Sequence, residues 1–240
     1  MIGIIGAMED EVVLLREHLE YKKKDTIGGG EYTSGKLGNK DVVLLRCGIG
    51  KVNAAVGCTL LINNFKPNLI INTGSAGGTG CPAGTLPKIG DIIISKGLAY
   101  HDFDLTPLKY EPGQVPGLPQ IFPANEQLLN KALLAVDELK ARHVLPPEMN
   151  VLQGLICSSD AFMHKKEQIE KVRQFFPDVL AVDMESAAIA HCCHLFYIPV
   201  LIIRALSDIA GESSTVSFHD FLSVASRHSA ELVMQIIKNS

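Results

Sequence analysis

Short aliphatic runs recur along the chain, separated by stretches patterned for helices, and this alternation constrains the fold more than any single motif. Gly3 to Ile5, Val42 to Arg46, Leu69 to Asn72, Ile92 to Ser95, Val151 to Cys157, Leu180 to Asp183 and Val200 to Arg204 read as strands. Several are apolar at successive positions, the pattern of strands covered on both faces. Helical patterns fill the intervals near Glu9 to Glu20, Lys51 to Asn64, Asn125 to Arg142, Lys165 to Phe176, Glu185 to Phe196 and Phe218 to Lys238. The expected fold is therefore α/β, three layers in the order α/β/α around a central sheet. The segment Glu31 to Leu45, turning at Gly38-Asn39-Lys40, reads as a β-hairpin, so the sheet is expected to be mixed.

No repeat, low-complexity tract or linker breaks this rhythm, and 240 residues, 47% of them hydrophobic, can bury one large core. Residues 1–240 are expected to form a single domain. Pro107, Pro112, Pro116, Pro119 and Pro123 stiffen the stretch 106–123, which reads as a rigid surface loop over a site or interface. A net charge of −4 gives no reason to expect nucleic acid or an anionic membrane as partner. Lys22-Lys23-Lys24, beside Glu20 and Asp25, reads as a solvated helix end. No apolar run approaches the roughly 20 residues that span a bilayer, and no export signal precedes the first strand. The six cysteines lack a disulfide-framework spacing, so reduced thiols and a cytoplasmic location are expected.

Ligands of α/β sheets gather beyond the carboxyl ends of the strands. Those ends carry Gly6-Ala7-Met8-Glu9-Asp10-Glu11, Cys47-Gly48-Ile49-Gly50, Thr73-Gly74-Ser75-Ala76-Gly77-Gly78, Ser158-Ser159-Asp160-Ala161-Phe162-Met163, Met184-Glu185 and Ser207-Asp208. The stretch INTGSAGGTG does not fit the dinucleotide fingerprint, and no Gly-Lys-Ser/Thr follows as in a P-loop. A tight turn and a ligand-approaching loop both remain open for it. Glu9, Asp10 and Glu11 suit a helix N-terminus. Glu185 follows a buried-looking strand and needs a partner there, for which Arg204 is a candidate, and that pair is open to a purely structural reading. Asp208 closes the apolar run VLIIRALSD. Carboxylates at three strand ends make an acid/base site.

His191-Cys192-Cys193-His194 has the composition of a metal site but not its geometry. Adjacent helical residues diverge by about 100°, so four consecutive ligands cannot converge on a tetrahedral ion, and no metal is expected. No G-x-S-x-G nucleophile elbow is present either. Phe162, Met163 and Phe218 suit ordinary core or stacking on a flat heterocycle.

Taken in order, IGIIGAMEDE, CGIGKVNAA, IINTGSAGG, YHDFD, SSDAF, VDMES and IRALSD resemble the motifs of the 5′-methylthioadenosine/S-adenosylhomocysteine nucleosidases, a family of the nucleoside phosphorylase superfamily. The resemblance spans the first strand to the last helix and implies a nucleoside phosphorylase/hydrolase-like fold without cofactor. It implies that Glu11 positions and activates water and that Asp208, supported by Ser207, protonates adenine N7. By the same resemblance Glu185 and Met184 bind the ribose, while Arg204 and Ser75 organise the water and the carboxylates. Phe162 would stack on adenine, the Met163 backbone would read its edge, and Met8, Ile49 and Phe218 would line the ribose and alkylthio region. Leu105, Leu108 and Pro116 would complete a neighbouring subunit's pocket, which implies a homodimer.

The chemistry is coherent, because adenine leaves more readily once protonated and an apolar pocket would raise the pKa of Asp208 as required. The alternatives are a phosphorylase, an aminodeoxyfutalosine-type nucleosidase and a non-catalytic nucleoside-binding protein. GAMEDE places acids where phosphorylases carry a cationic G-D-P-x-R type turn, which favours water over phosphate. The departures from the family pattern are Ser159 for a usual glycine, Asp183 for a common glutamate, the inserted TGCPAGTLPKIGD, and Leu108 for an aromatic.

Overall fold

The computed structural model describes residues 1–80, 87–211 and 214–240, and for 214–217 and 219 the backbone alone. The chain opens with β1 (Ile2–Gly6), α1 (Glu9–His18), β2 (Glu20–Ile27), β3 (Gly30–Leu37), β4 (Lys40–Arg46) and α2 (Lys51–Phe65). It continues through β5 (Leu69–Gly78), β6 (Ile92–Tyr100), a 3-10 turn (Thr106–Leu108), β7 (Phe122–Pro123) and α3 (Glu126–Ala141). The last elements are β8 (Val151–Ser158), α4 (Lys166–Phe175), β9 (Val179–Asp183), α5 (Ser186–Leu195), β10 (Val200–Ile209) and α6 (Ser214–Lys238). Of the inserted TGCPAGTLPKIGD, residues 81–86 lie outside the described residues.

The sheet is mixed, as the hairpin at β3 and β4 requires. Strand β1 pairs in parallel with β4 and β5, and β4, β3 and β2 follow as an antiparallel meander. Beyond β5 the sheet curls into a ring: β5 pairs β10, β10 pairs β6, β6 pairs β8, β8 pairs β9, and β9 returns to β5. Register shifts at Ser95/Gly97, Leu155/Ile156 and Leu206/Asp208 supply the local bends that such closure needs. The doubly covered strands behave as their composition implies. Ile70, Val43 and Ile202 pack toward α2 and α5, while Ile71, Leu44 and Ile203 pack toward α1, α3 and α6. Helix α4 closes a smaller cluster over β8 and β9. Among the described residues, no helix is long and apolar enough to cross a membrane.

Two expectations change. Lys22-Lys23-Lys24 sits on the exposed strand β2, not at a helix end, because α1 stops at His18 and Leu19 turns to extended geometry. An edge strand rich in lysine resists pairing with other chains, and the lack of an apolar stripe is why it carries no strand signal. INTGSAGG is neither turn nor loop: it is strand, since β5 continues to Gly78. The segment 106–123 does form an irregular surface stretch, with its 3-10 turn and β7. It is held close to β6 at Gly113 (φ +78), where a Cβ would meet the carbonyl oxygen of Tyr100.

Candidate active site

The site forms where β5 changes neighbours. Strand β1 accompanies β5 only to Asn72, and β9 joins it only at Gly77. Between those points one backbone edge of β5 is free of β1 and β9, a topological switch point of the kind that binds ligands. Glu11 fills part of it. Its Oε1 accepts the Ser75 N–H at 2.9 Å and the Ser75 hydroxyl at 3.1 Å, and its Oε2 accepts the N–H groups of Ala7 at 2.8 Å and Met8 at 3.1 Å. The three N-terminal acids of α1 therefore part company. Glu9 pairs with Arg16 and Asp10 is exposed, whereas Glu11 is 4% exposed and fixed by four donors.

The glycines of β5 make room for carboxylates. A Cβ at Gly74 would stand 2.7 Å from Glu11 Oε1, and one at Gly77 would stand 3.2 Å from Asp208 Oδ2. Asp208 itself sits at the β10 register shift opposite Gly77, and a bulge there re-aims its side chain relative to the regular alternation. It is 2% exposed, and its Oδ1 accepts the Ser207 hydroxyl at 2.9 Å.

Arg204 does not pair with Glu185. Its Nε donates to Asp183 Oδ2 at 2.8 Å and its Nη2 to Asn72 Oδ1 at 2.7 Å, with the guanidinium 2% exposed. Asp183 is thus a hub and not merely a variable neighbour: its Oδ1 also accepts from the Ser158 hydroxyl and the Ser186 N–H. Glu185, two residues on at the N-cap of α5, turns away to accept the Gly50 N–H at 2.8 Å.

Burial raises the Glu185 carboxyl toward about 8, and the charge of Asp183 adds to this, while Arg204 and the Gly50 N–H oppose it. A carboxyl whose folded pKa exceeds its unfolded value costs no stability below the unfolded value. The cost grows as pH rises toward the folded one. Glu185→Gln keeps an acceptor for Gly50 but removes the charge. Its Tm is expected to match the parent near pH 4 and to exceed it above pH 8, by roughly 2–4 °C per kcal/mol released. Equal Tm values across that range, read by calorimetry, would remove the cost assigned to Glu185.

These groups face one cavity of about 380 Å³, a size suited to a small organic ligand. Glu11, Ser75, Asp183, Met184, Glu185, Ser207 and Asp208 line it, and Met8, Ile49, Phe162 and Phe218 contribute apolar surface. Phe162, 41% exposed, meets Phe218 edge to face at 5.9 Å. Met163 does not line this cavity; it borders a separate small one of about 30 Å³ that shares Phe162 and Asp208 as walls, and its carbonyl accepts the Gly211 N–H at 3.3 Å. Arg204 stands behind the wall. Leu105, Leu108 and Pro116 do not line the cavity, and Leu108 and Pro116 are exposed on the loop that follows β6. Ser159 spends its hydroxyl on its own turn, accepting the Ala161 N–H at 3.3 Å.

The His-Cys-Cys-His side chains take separate surroundings on α5. His191 meets the Tyr100 hydroxyl at 3.1 Å and stacks on Phe122, and His194 meets Phe122 edge-on. Cys193 approaches Cys58 at 4.0 Å between sulfurs, and Cys192 contacts Thr59. The Cys192 thiol is held above its ordinary range by its hydrogen bond with Cys58 and then by burial, the setting of an inert thiol.

Comparison with known proteins places the whole chain in one family. A phosphorylase superfamily model matches residues 1–238. The chain is 47% identical to a 5′-methylthioadenosine/S-adenosylhomocysteine nucleosidase of Bacillus subtilis (strain 168), over 99% of this chain and 98% of that one. A nucleosidase of the same name from Neisseria meningitidis, solved in complex with methylthio-immucillin-A, superposes with a TM-score of 0.93 at 42% identity, covering 100% and 99% of the two chains. Another, from Colwellia psychrerythraea 34H in complex with adenine, gives 0.92 at 40% identity, covering 99% and 94%.

Proposed function

Because the chain belongs to the 5′-methylthioadenosine/S-adenosylhomocysteine nucleosidase family of the phosphorylase superfamily, enzymes that hydrolyse N-ribosyl bonds, we propose that it cleaves those two nucleosides to adenine and the matching 5-thio-substituted ribose. One observation carries the reading. A single cavity joins Glu11, Glu185 and Asp208 to the apolar group Met8, Ile49, Phe162 and Phe218.

Adenine leaves poorly as an anion, so the base must gain a proton as the glycosidic bond breaks. Asp208, oriented by the Ser207 hydroxyl, donates that proton at N7. Phe162 stacks on the ring, and the Met163 backbone meets its edge. As the bond lengthens, C1′ acquires oxocarbenium character. A water held by Glu11 attacks it, giving an acid and a base at one scissile bond. Four donors on Glu11 fix the direction of its lone pairs before substrate arrives, which is preorganisation of the kind that lowers a barrier without later rearrangement. Glu185 accepts hydrogen bonds from the ribose hydroxyls beside Met184. These donors favour its charged form and offset the burial that raises its pKa. Arg204, through Asp183, holds the floor under them.

Water is favoured over phosphate by charge. Among the described residues, no lysine, arginine or histidine lines the cavity, whereas four carboxylate side chains do. An incoming phosphate would meet the Glu11 carboxylate with no cationic side chain among the described lining residues to offset the repulsion. Residues 1–240 act as one nucleosidase domain, and Leu105, Leu108 and Pro116, exposed or half-exposed on their loop, are the residues by which a second copy would complete the pocket of a homodimer.

The substrate assignment is tested by adenine release, followed chromatographically, from methylthioadenosine and from adenosine. Among the described residues, Met8, Ile49 and Phe218 offer a 5′-hydroxyl no side-chain partner, so adenosine is expected to lose about 10–100-fold in kcat/KM, in line with the cost of an unpaired polar group in an apolar pocket. Adenosine turned over as well as methylthioadenosine would contradict the alkylthio assignment of Met8, Ile49 and Phe218.

A further inference from the structure

We propose that Lys51, Asp102 and Asp160, none of which lines the cavity, form a clamp that sets the spacing between its ribose side and its base side. They would act as positioning residues. The proposal rests on the nucleosidase reading and extends it to residues outside the family motifs' assigned roles.

The contacts tie three separate segments. Asp160 Oδ1 accepts the Lys51 backbone N–H at 2.8 Å, at the first turn of α2, where the positive end of the helix also favours a carboxylate. The Asp160 N–H donates to Asp102 Oδ2 at 3.1 Å. Lys51 Nζ reaches both Asp102 oxygens, at 2.7 and 2.6 Å, and lies 3.7 Å from Asp160 Oδ2. Gly50 adopts φ +96, and a Cβ there would stand 3.2 Å from Asp160 Oδ1, so the approach of the two loops is close.

Each corner serves a different part of the site. Lys51 directly follows Ile49, which lines the cavity, and Gly50, whose N–H holds Glu185. Asp160 stands two residues before Phe162, the aromatic face of the cavity. Asp102 begins the segment that leads to the 3-10 turn at Thr106–Leu108. The clamp stands on fixed ground: Lys51 Nζ lies 5.4 Å from the Tyr100 ring centre, and the Tyr100 hydroxyl meets His191 Nδ1 at 3.1 Å. This gives the otherwise unused histidine of α5 a place behind the clamp.

The side chains are partly exposed, so their ion pairs add little to global stability. The charge-assisted bonds to two backbone N–H groups are directional, however, and fix loop against loop. A shift of an ångström between ribose and base contacts is enough to weaken binding of a rigid nucleoside.

The test measures kcat and KM for methylthioadenosine, and the affinity for methylthio-immucillin-A, in Asp160→Ala, Asp102→Ala, Lys51→Met and the Asp102→Ala/Asp160→Ala double variant. KM is expected to rise about tenfold in each single variant with kcat held within about threefold. The double variant should lose little more than either single one, because the three act as a unit. Asp160→Asn, which keeps the Oδ1 acceptor, should restore most of the affinity. For the parent, KM should climb with sodium chloride more steeply than for Lys51→Met, since the Lys51 pairs are open to screening. Unchanged KM in Asp160→Ala and Lys51→Met, or fully additive losses, would overturn the clamp. A parent that binds methylthio-immucillin-A but does not cleave methylthioadenosine would instead sink the nucleosidase reading, and affinity for that analogue, which spans ribose and base sides, would still report on the clamp.

Discussion

Asp208→Asn is expected to bind the nucleoside within a few-fold of the parent and to lose about 10²–10⁴-fold in kcat, the range contributed by one positioned acid. The substitution preserves shape and leaves an amide oxygen for the Ser207 hydroxyl that now donates to Oδ1 at 2.9 Å. An amide can donate a hydrogen bond to N7 but cannot transfer the proton that makes adenine a good leaving group. Binding should therefore survive while turnover falls. Single-turnover kinetics beside a binding isotherm separates the two. A kcat within tenfold of the parent would remove Asp208 as the acid.

The largest effect on stability is expected at Asp183. Asp183→Ala leaves the Arg204 guanidinium, 2% exposed, without its carboxylate at 2.8 Å. It also strips an acceptor from the Ser158 hydroxyl and the Ser186 N–H. Breaking one side of a buried pair costs about 3–5 kcal/mol because a charge stays buried without its counterion. For a chain of this size that corresponds to a fall in Tm of roughly 10 °C. Asn72 still receives one Arg204 N–H at 2.7 Å, so the loss is partial and folding should persist. A Tm within 2 °C of the parent, on the same scale of roughly 2–4 °C per kcal/mol, would mean that the pair holds nothing together.

Much of the site was legible because chemistry at strand ends leaves a local mark. Glu185 and Asp208 each follow an apolar run too continuous to be exposed, whereas only the family resemblance separated Glu11 from Glu9 and Asp10; all three carboxyl groups line one cavity. The Arg204 partner was not legible. Asp183 and Glu185 lie two residues apart, but Asp183 ends β9 facing Ser158 in register, while Glu185 has left the strand for the α5 N-cap. Because β9 and β10 are not neighbours in the ring, no local pattern shows which acid Arg204 meets.

The glycines of β5 misled for a related reason. Their missing side chains admit Glu11 and Asp208 from other elements, and a strand that needs space for distant side chains looks like a loop when read alone. Ring closure of the sheet was hidden likewise, since it depends on register shifts at Ser95/Gly97, Leu155/Ile156 and Leu206/Asp208. Strand β2 had no apolar stripe to announce it. Lys51, Asp102 and Asp160 sat within CGIGKVNAA, YHDFD and SSDAF, where proximity to glycines and aromatics marked the motif but not the ion pairs that join one motif to another.

Water placed by Glu11, with Asp208 protonating the leaving base, is the nucleophile we propose. Product analysis with methylthioadenosine in rigorously phosphate-free buffer tests this most directly. Complete conversion to adenine and methylthioribose is expected, with a rate unchanged when phosphate is added. Turnover only with phosphate, yielding methylthioribose 1-phosphate, would contradict it.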